Sequence, residues 1–249
     1  MSYKFNPFTK KMDYYTSGGI GLYSNLSIKN NTTNPNYQMD ISATTVLLED
    51  SSKAILRIDT LSETVDITAS GVNGLDTGSE AGSTWYHIWA IAKADGTKDC
   101  LLSTSATAPT LPAGYTYKAY LGAVYNNASG NFVSFKQYDK SVVTDMVVSL
   151  SGGAETSYTS ISLATCIPTT AKKVKCIIIG TTATSISDMY ISGDSAGSYE
   201  MYRCYLAATG ATYIQSRLIA NMTIQTSQTL YYKVSADTTG ALGISGWEY

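Results

Sequence analysis

The sequence predicts an all-β protein: an antiparallel, jelly-roll-like β-sandwich of one or two units, preceded by an extended N-terminal arm. Strand-like segments recur about every ten to twelve residues, and no stretch has the convincing period of an amphipathic helix. Clusters of turn-forming Gly, Asp, Asn and Ser residues separate these segments. A chain of 249 residues is long enough to bury a core either as one large domain or as two.

Residues 1–40 are predicted to form the arm and to act as a docking segment. They begin with the aromatic stretch FNPFTKKMDYY, continue through a glycine-rich joint and end in a polar run without a sustained period of 2 or 3.6. Such a segment cannot bury enough surface to fold alone, but its aromatic side chains suit a peptide that becomes ordered on a partner. The alternative is a disordered end or an arm wrapped on its own domain. The predicted docking residues are Phe5, Asn6, Pro7, Phe8, Tyr14 and Tyr15.

Residues 41–150 are predicted to form the first sandwich unit. Apolar and polar residues alternate here, as expected of half-buried strands. The pair Asp95-Gly96 follows an aromatic run and favours a tight hairpin turn. After a proline-containing break, a second strand run is predicted over Tyr115–Tyr125, and Asn126–Gly130 is predicted to turn the chain again.

Residues 151–249 are predicted to form a second sandwich unit or the second half of the same sandwich. The seam between the two parts is placed at Ser151–Ser157, in the turn-like stretch SGGAETS. The strand runs that follow are TSISLATCIP, KKVKCIIIGTT, DMYISGD, SYEMYRCYLAAT, RLIANMTIQT and TLYYKVSAD.

Three stretches resemble a known family. The block TWYHI, followed by STSATAPTLPAGYTYK and GNF, resembles a pattern found in structural proteins of tailed-bacteriophage particles. The opening FNPFT and the closing G-W are similar to the ends of such proteins, although Lys10 stands where their pattern usually has Gly. The block from Trp85 to Phe135 is the most specific of the three.

This resemblance implies a non-enzymatic component of a virion: a tail fibre, a knob or a capsid decoration protein. It implies docking through the N-terminal arm onto other virion structural proteins, localisation in the virion after assembly in the host cytoplasm, and contact with the host surface. Self-association is also expected from the Tyr-rich, weakly charged composition and from strands with two partly apolar faces. The trimer as the favoured homo-oligomer is implied by the resemblance to fibre-like proteins.

The composition argues against nucleic acid and membranes as partners. The net charge is -2 and only 14% of the residues are charged, so the clustered basic surface of a nucleic-acid-binding protein is absent from the sequence pattern. The short run Lys172, Lys173 and Lys175 is interpreted as a solvated strand edge. No apolar run approaches membrane-spanning length, and no signal peptide is recognisable, so membrane insertion is not expected.

The candidate metal ligands point to structure rather than to a cofactor. The four cysteines have no C-x-x-C spacing, so free buried thiols are expected. Asp76 and Glu80 lie in a Gly-rich loop that lacks the ligand spacing of a calcium loop, which favours an ordinary surface loop. The sequence therefore predicts neither a metal site nor a cofactor.

The candidate catalytic groups also favour structural roles. The single histidine, His87, alternates with Trp85 and Trp89 on one strand face, which indicates a packed, hydrogen-bonded side chain. No G-x-S-x-G motif is present. The carboxylates that lie near Gly-rich turns, and that turn chemistry explains, are Asp188, Asp194 and Glu200. The prediction is that the chain is not an enzyme and has no catalytic residues.

Two alternatives remain beside the structural component. Twenty Tyr residues against four Phe suit surfaces on which aromatic rings meet water, so a glycan-binding receptor-recognition module is one alternative, with a host cell-surface glycan as its partner. A tailspike-type polysaccharide-degrading enzyme is the other. The short length and the lack of a repeating solenoid pattern weigh against that enzyme.

Overall fold

The computed structural model describes residues 2–6, 11–15, 22–182, 186–207 and 214–249. Within these ranges the regular secondary structure consists of β-strands, and no helix is long and apolar enough to cross a membrane. The eighteen strands are β1 Ser2–Asn6, β2 Lys11–Tyr15, β3 Leu22–Ser24, β4 Ser27–Asn30, β5 Gln38–Glu49, β6 Ile55–Asp66, β7 Thr84–Ala92, β8 Lys98–Ser103, β9 Tyr117–Asn126, β10 Phe135–Tyr138, β11 Ser141–Gly153, β12 Thr159–Ser162, β13 Lys173–Thr182, β14 Ile186–Ser192, β15 Tyr202–Ala207, β16 Ile214–Thr223, β17 Thr229–Val234 and β18 Thr238–Glu248.

The strands form two packed sheets and a separate pair. The large sheet has twelve strands and follows the order β16-β13-β18-β11-β10-β4-β5-β9-β7-β8, with β3 and β6 also paired to β5. The smaller sheet has the order β12-β17-β14-β15, and β1 pairs with β2. All pairings between these strands are antiparallel, which confirms the predicted all-β, antiparallel sandwich class.

In the second half of the chain, the smaller sheet packs against β16, β13, β18 and β11 of the large sheet. Strand β13 shows why the sequence folds in this way, because its alternate residues Val174, Cys176 and Ile178 are buried between the two sheets. At Gly180, an added Cβ would lie 2.8 Å from Leu206 Cδ1 of the facing sheet. The glycine therefore permits the close approach of the two layers.

Strand β13 also corrects one expectation. It pairs with β16 on one side and β18 on the other, so it is an interior strand. The interpretation of Lys172, Lys173 and Lys175 as a strand edge is therefore wrong. The lysines on β13 point to the outer face of the sheet, where Lys175 Nζ donates a hydrogen bond to Ser141 Oγ at 2.7 Å. A row of buried alternate residues on the other face fixes this orientation.

In the first half of the chain, β7, β8 and β9 form a layer that packs against β5 and β6. The two layers join at one corner, where the single residue pair between β5 and β9 is Glu49 with Lys118. The predicted hairpin at Asp95-Gly96 is confirmed: β7 pairs with β8, and Gly96 has a φ of 90° in the turn. The predicted second strand run is confirmed by β9.

The two halves are continuous. Strand β10 pairs with β4 on one side and with β11 on the other, so the large sheet passes from one half to the next. Trp85 of β7 also links them, since its Nε1 donates to the carbonyl oxygen of Ala164 at 2.7 Å and its ring meets Trp247 edge-on at 5.5 Å. Strand β11 extends to Gly153, inside the predicted seam at Ser151–Ser157, and pairs there with Gly240 of β18. The division into units 41–150 and 151–249 stays a prediction.

The N-terminal strands shift the boundary of the predicted arm. Residues 22–40 contain β3 and β4, which pair with β5 in the large sheet. Leu26 and Ile28 belong to the buried core, and the Leu26 N–H donates to Asp139 Oδ1 at 2.9 Å. The boundary at residue 40 is therefore corrected, because apolar residues spaced two apart in this polar run reach the core.

Candidate functional site

A cleft of about 610 Å³ opens at the corner where β5 meets β9. Its sides come from the turn after β5, the outer face of β7 and β9, the loop that follows β8, and the loop before β13. This volume lies within the range of small-molecule sites in proteins. The lining residues are Glu49, Asp50, Ser51, Lys53, Trp89, Ala106, Thr107, Leu111, Thr116, Lys118, Tyr120, Thr170, Lys172 and Tyr249.

Three aromatic side chains form the rigid base of the cleft. The ring of Tyr120 packs edge-on against Trp89 at 5.2 Å and against Tyr249 at 5.8 Å. Trp89 Nε1 donates to the carbonyl oxygen of Ser105 at 3.2 Å, and the Ala123 N–H donates to Tyr249 Oη at 2.6 Å. Trp89 and Tyr120 are only 3% and 6% exposed, so they support the cleft from below and leave little of their own surface open.

His87 lies behind this base. Its Nδ1 is 3.1 Å from Tyr120 Oη, and the same oxygen is 2.8 Å from Thr170 Oγ1 on the opposite side. Burial lowers the pKa of His87 to about 4 and raises the pKa of the Tyr120 phenol. At neutral pH the imidazole is therefore neutral, and it orients the Tyr120 hydroxyl. This matches the packed, hydrogen-bonded histidine that the sequence predicted.

The charged groups of the cleft are unevenly paired. Glu49 forms a salt bridge with Lys53, and Asp50 Oδ1 accepts the N–H groups of Ser52 and Ala54 in the turn. Lys118 Nζ lies 5.5 Å from the Trp89 ring centroid, and it donates a hydrogen bond to the backbone carbonyl of Thr107. Within the part of the chain that the structure describes, neither Lys118 nor Lys172 forms a salt bridge.

The carboxylates considered as catalytic candidates are separated and individually bonded. Asp188 forms a salt bridge with Arg203, whose Nη2 lies 2.9 Å from Asp188 Oδ2. Asp194 Oδ1 accepts backbone N–H groups in its own turn. Glu200 accepts a hydrogen bond from the hydroxyl of Thr223 at 2.8 Å. Asp194 therefore has the turn role that the sequence predicted. Asp188 instead lies within β14 in a salt bridge, and Glu200 bonds to Thr223 of β16, so turn chemistry does not explain these two carboxylates.

The candidate metal ligands each accept a hydrogen bond from a residue distant in the sequence. Asp76 Oδ2 accepts the Thr110 N–H at 2.9 Å, and Glu80 Oε1 accepts from Asn126 Nδ2 at 3.0 Å. Among the described residues, no group of three or more His, Cys, Asp or Glu side chains is arranged to hold a metal ion. The four cysteines are buried free thiols, as predicted: Cys100, Cys166, Cys176 and Cys204.

The predicted docking residues fall in the part of the chain that is only partly described. The backbone of Phe5 pairs with that of Met12, and Tyr14 and Tyr15 lie in the partner strand β2. The side chains of Phe5, Asn6, Tyr14 and Tyr15, and the whole of Pro7 and Phe8, lie outside the described residues. Their role stays a prediction.

The cleft was not found from the sequence. Lys118 and Tyr120 belong to the strand run that the sequence placed correctly, but Glu49, Thr170 and Tyr249 come from distant parts of the chain. The aromatic alternation around Trp89 signalled a packed surface and gave no sign of a concave one. These residues come together because β5 meets β9 at a corner, and no pattern within a short stretch of sequence indicates that corner.

Comparison with known proteins gives little further information. No protein-family model matches the chain, and no curated protein matches its sequence significantly. Two solved structures from Bacillus thuringiensis are weakly similar. For a tryptic core variant of Cry1Da the identity is 5%, the coverage is 93% of this chain and 52% of that chain, and the TM-score is 0.21. For the insecticidal delta-endotoxin Cry8Ea1 the identity is 8%, the coverage is 94% of this chain and 53% of that chain, and the TM-score is 0.18. The chain spans about half the length of both, and such TM-scores support no conclusion about fold or function.

Proposed function

We propose that the chain is a non-enzymatic structural component of a tailed-phage virion, such as a fibre, knob or decoration protein. One contact carries the proposal: Trp85 of the TWYHI block meets Trp247 of the closing G-W motif at 5.5 Å. Two stretches that resemble phage particle proteins, and that lie far apart in the sequence, thus pack into one structural unit. The match between sequence resemblance and spatial contact supports a shared architecture.

The non-enzymatic part of the proposal is supported by the state of the titratable groups. His87 is buried behind Tyr120 with its pKa lowered by burial, and the candidate carboxylates hold turns or a salt bridge. The test is a panel of polysaccharide and ester substrates. We expect no turnover, and turnover that disappears in a folded His87→Asn variant would contradict the proposal.

Self-association is supported by an apolar row on the outer face of the large sheet, in which three side chains are exposed and Ile177 is half-buried. This outer row consists of Ile219, Ile177, Met146 and Val148. Ile219 is 78% exposed and pairs with Ile177, which in turn pairs with Gly243. Met146 lies over Gly243, since a Cβ added to Gly243 would be 2.7 Å from Met146 Sδ. Val148 is the residue of β11 that pairs with Gly243. Such a row suits burial against a second copy of the chain. The trimer is favoured by the resemblance alone.

Attachment to the particle is assigned to residues 1–21. Burial of Phe5 and Phe8 on another virion protein would contribute roughly 2 kcal/mol each and offset the cost of ordering the backbone. We expect a variant that lacks residues 1–21 to fold and self-associate but to be missing from particles, as judged by negative-stain images labelled against this chain. The double variant Phe5→Ala, Phe8→Ala should behave in the same way.

Wild-type incorporation of both variants would contradict the docking role. The matched control is Tyr138→Ala, which removes an aromatic side chain that is 61% exposed on β10, outside the proposed docking segment. It should be incorporated like the wild type. If labelled wild-type chain is not found on particles at all, the structural assignment itself is wrong.

A glycan-binding receptor-recognition module is the second candidate function. The cleft favours it, because hydroxyl, ammonium and carboxylate groups surround an aromatic base. The two functions are compatible, since a particle component can contact the host through such a site. Binding of sugars by the purified chain tests this candidate separately from incorporation into particles.

A further inference from the structure

We propose that the cleft at the corner of β5 and β9 binds a carboxylated sugar, a uronic acid residue whose carboxylate lies between Lys118 and Lys172. The inference names a ligand class for the second candidate function. It holds whether or not the chain is a particle component, because it depends only on the side chains of the cleft.

The balance of charge in the cleft favours a single negative charge. Five charged side chains line it, three with ammonium groups and two with carboxylates: Lys53, Lys118, Lys172, Glu49 and Asp50. The salt bridge and the turn hydrogen bonds occupy the two acids. Two ammonium groups therefore remain for a ligand, and a carboxylate can accept charge-assisted hydrogen bonds from both while carrying a single negative charge.

The position of Lys118 favours an anion that is bound beside a ring. Its ammonium group lies over Trp89 and donates to the Thr107 carbonyl oxygen at 3.2 Å, which holds the side chain against the wall of the cleft. One bond to a neutral carbonyl leaves further N–H groups of this lysine to donate. Leu111 and Tyr249 add apolar surface close by. In a uronic acid the carboxylate is attached directly to the sugar ring, so the ring can lie against this apolar surface while the carboxylate meets Lys118.

The rim favours a sugar over a phosphate or a polyanion. Ser51, Thr107 and Thr116 bring hydroxyl groups to the cleft. The salt bridge uses Glu49 Oε1 and the turn hydrogen bonds use Asp50 Oδ1, so the second oxygen of each carboxylate can accept from a ligand. Sugar hydroxyls can donate to those oxygens, whereas a phosphate dianion would be repelled by them. The volume of about 610 Å³ accommodates one or two sugar rings.

The test is calorimetric titration of the full chain with D-glucuronate, with D-glucose as the neutral counterpart and with acetate and inorganic phosphate as ion-only probes. We expect a dissociation constant on the order of 1 mM for glucuronate, typical of a weak single-ring ligand. Glucose, acetate and phosphate should bind at least about tenfold more weakly, and raising the salt from about 50 to about 500 mM should weaken glucuronate binding.

Two cleft variants locate the site. Lys118→Met keeps an unbranched apolar side chain beside Trp89, and Lys172→Met changes an exposed side chain; each should weaken glucuronate binding about tenfold. Lys136→Met is the matched control, since Lys136 is exposed on β10 and does not line the cleft. It should bind like the wild type. The inference would be overturned if glucose, acetate or phosphate bound as tightly as glucuronate. It would also be overturned if glucuronate did not bind at about 20 mM, or if Lys172→Met bound glucuronate as tightly as the wild type does.

Discussion

The imidazole Nδ1 of His87 and the phenol oxygen of Tyr120 lie 3.1 Å apart on neighbouring strands, and Tyr120 lines the cleft while His87 does not. Tyr120 Oη also contacts Thr170 in the loop before β13. One hydroxyl thus links the layer of β7 and β9 to the second half of the chain. The protonation state of His87 therefore bears on how firmly the two halves are held together.

The stability of the fold should decrease in mildly acidic solution through His87. Burial holds its pKa at about 4 in the folded chain, compared with 6.5 in an exposed histidine. Below pH 6.5 the unfolded chain binds the additional proton, so stability is full above that pH and is lost as the pH falls toward 4. Between pH 7.5 and 4.5 the free energy of unfolding should fall by about 2–3 kcal/mol more in the wild type than in His87→Asn. Urea unfolding of both proteins across this range is the measurement, and parallel pH profiles would contradict it.

Gly122 should not tolerate a side chain. An added Cβ would lie 2.2 Å from Oε1 of the buried Gln137, whose Nε2 donates to the carbonyl oxygens of Leu121 and Asp139. Gly122→Ala should therefore lower the free energy of unfolding by about 1–3 kcal/mol. Gly193→Ala is the matched control, because its nearest atom is the end of the exposed Gln225 side chain at 3.2 Å. Equal effects of the two substitutions in urea unfolding would argue against the close contact.

The outer row should control self-association. Ile219→Lys places a charge at the most exposed position of the row, and Met146→Lys does the same over Gly243, so each should reduce the mass measured by light scattering toward the 26.7 kDa monomer. Their melting temperatures as monomers should change little, because both side chains are exposed. Ser160→Lys, at an exposed position on β12, is the control and should remain associated. A monomeric wild type at micromolar concentration would show that the row is not an interface between copies.

The four thiols should be unreactive while the chain is folded. All four are buried, and burial raises the pKa of Cys176 to about 12 and that of Cys100 well above its usual value. A disulfide reagent should label none of them in the native protein and all four in denaturant. Dithiothreitol should leave the melting temperature unchanged. Rapid labelling of the native chain, or a fall of more than about 10 °C with reductant, would contradict the buried free thiols.

The sequence predicted the strands well where burial alternates. The β13 run alternates between buried and half-buried residues, and the turn at Gly96 needed the backbone geometry that glycine supplies. Both features are local, so the pattern of residues was sufficient. The class of the fold followed from the same signals repeated along the chain.

The missing information was the pairing of distant strands. Leu26 and Ile28 lie in a polar run and gave no sign that β4 would be enclosed between β5 and β10. The lysines around β13 suggested an edge because charged residues are common on edges, although the partners on both sides are set by residues more than forty positions away. For the same reason the corner that forms the cleft could not be predicted.

Strand β10, only four residues long, has a consequence for the order of events during synthesis. Its partner β4 is synthesised more than one hundred residues earlier. Strand β11 is likewise separated from its partner β18 by almost as many residues. The chain must therefore expose unpaired strand edges through much of its synthesis, and pairings of such large sequence separation are slow to form. We expect refolding to be slow and concentration-sensitive, with aggregation competing until the last strand closes the sheet.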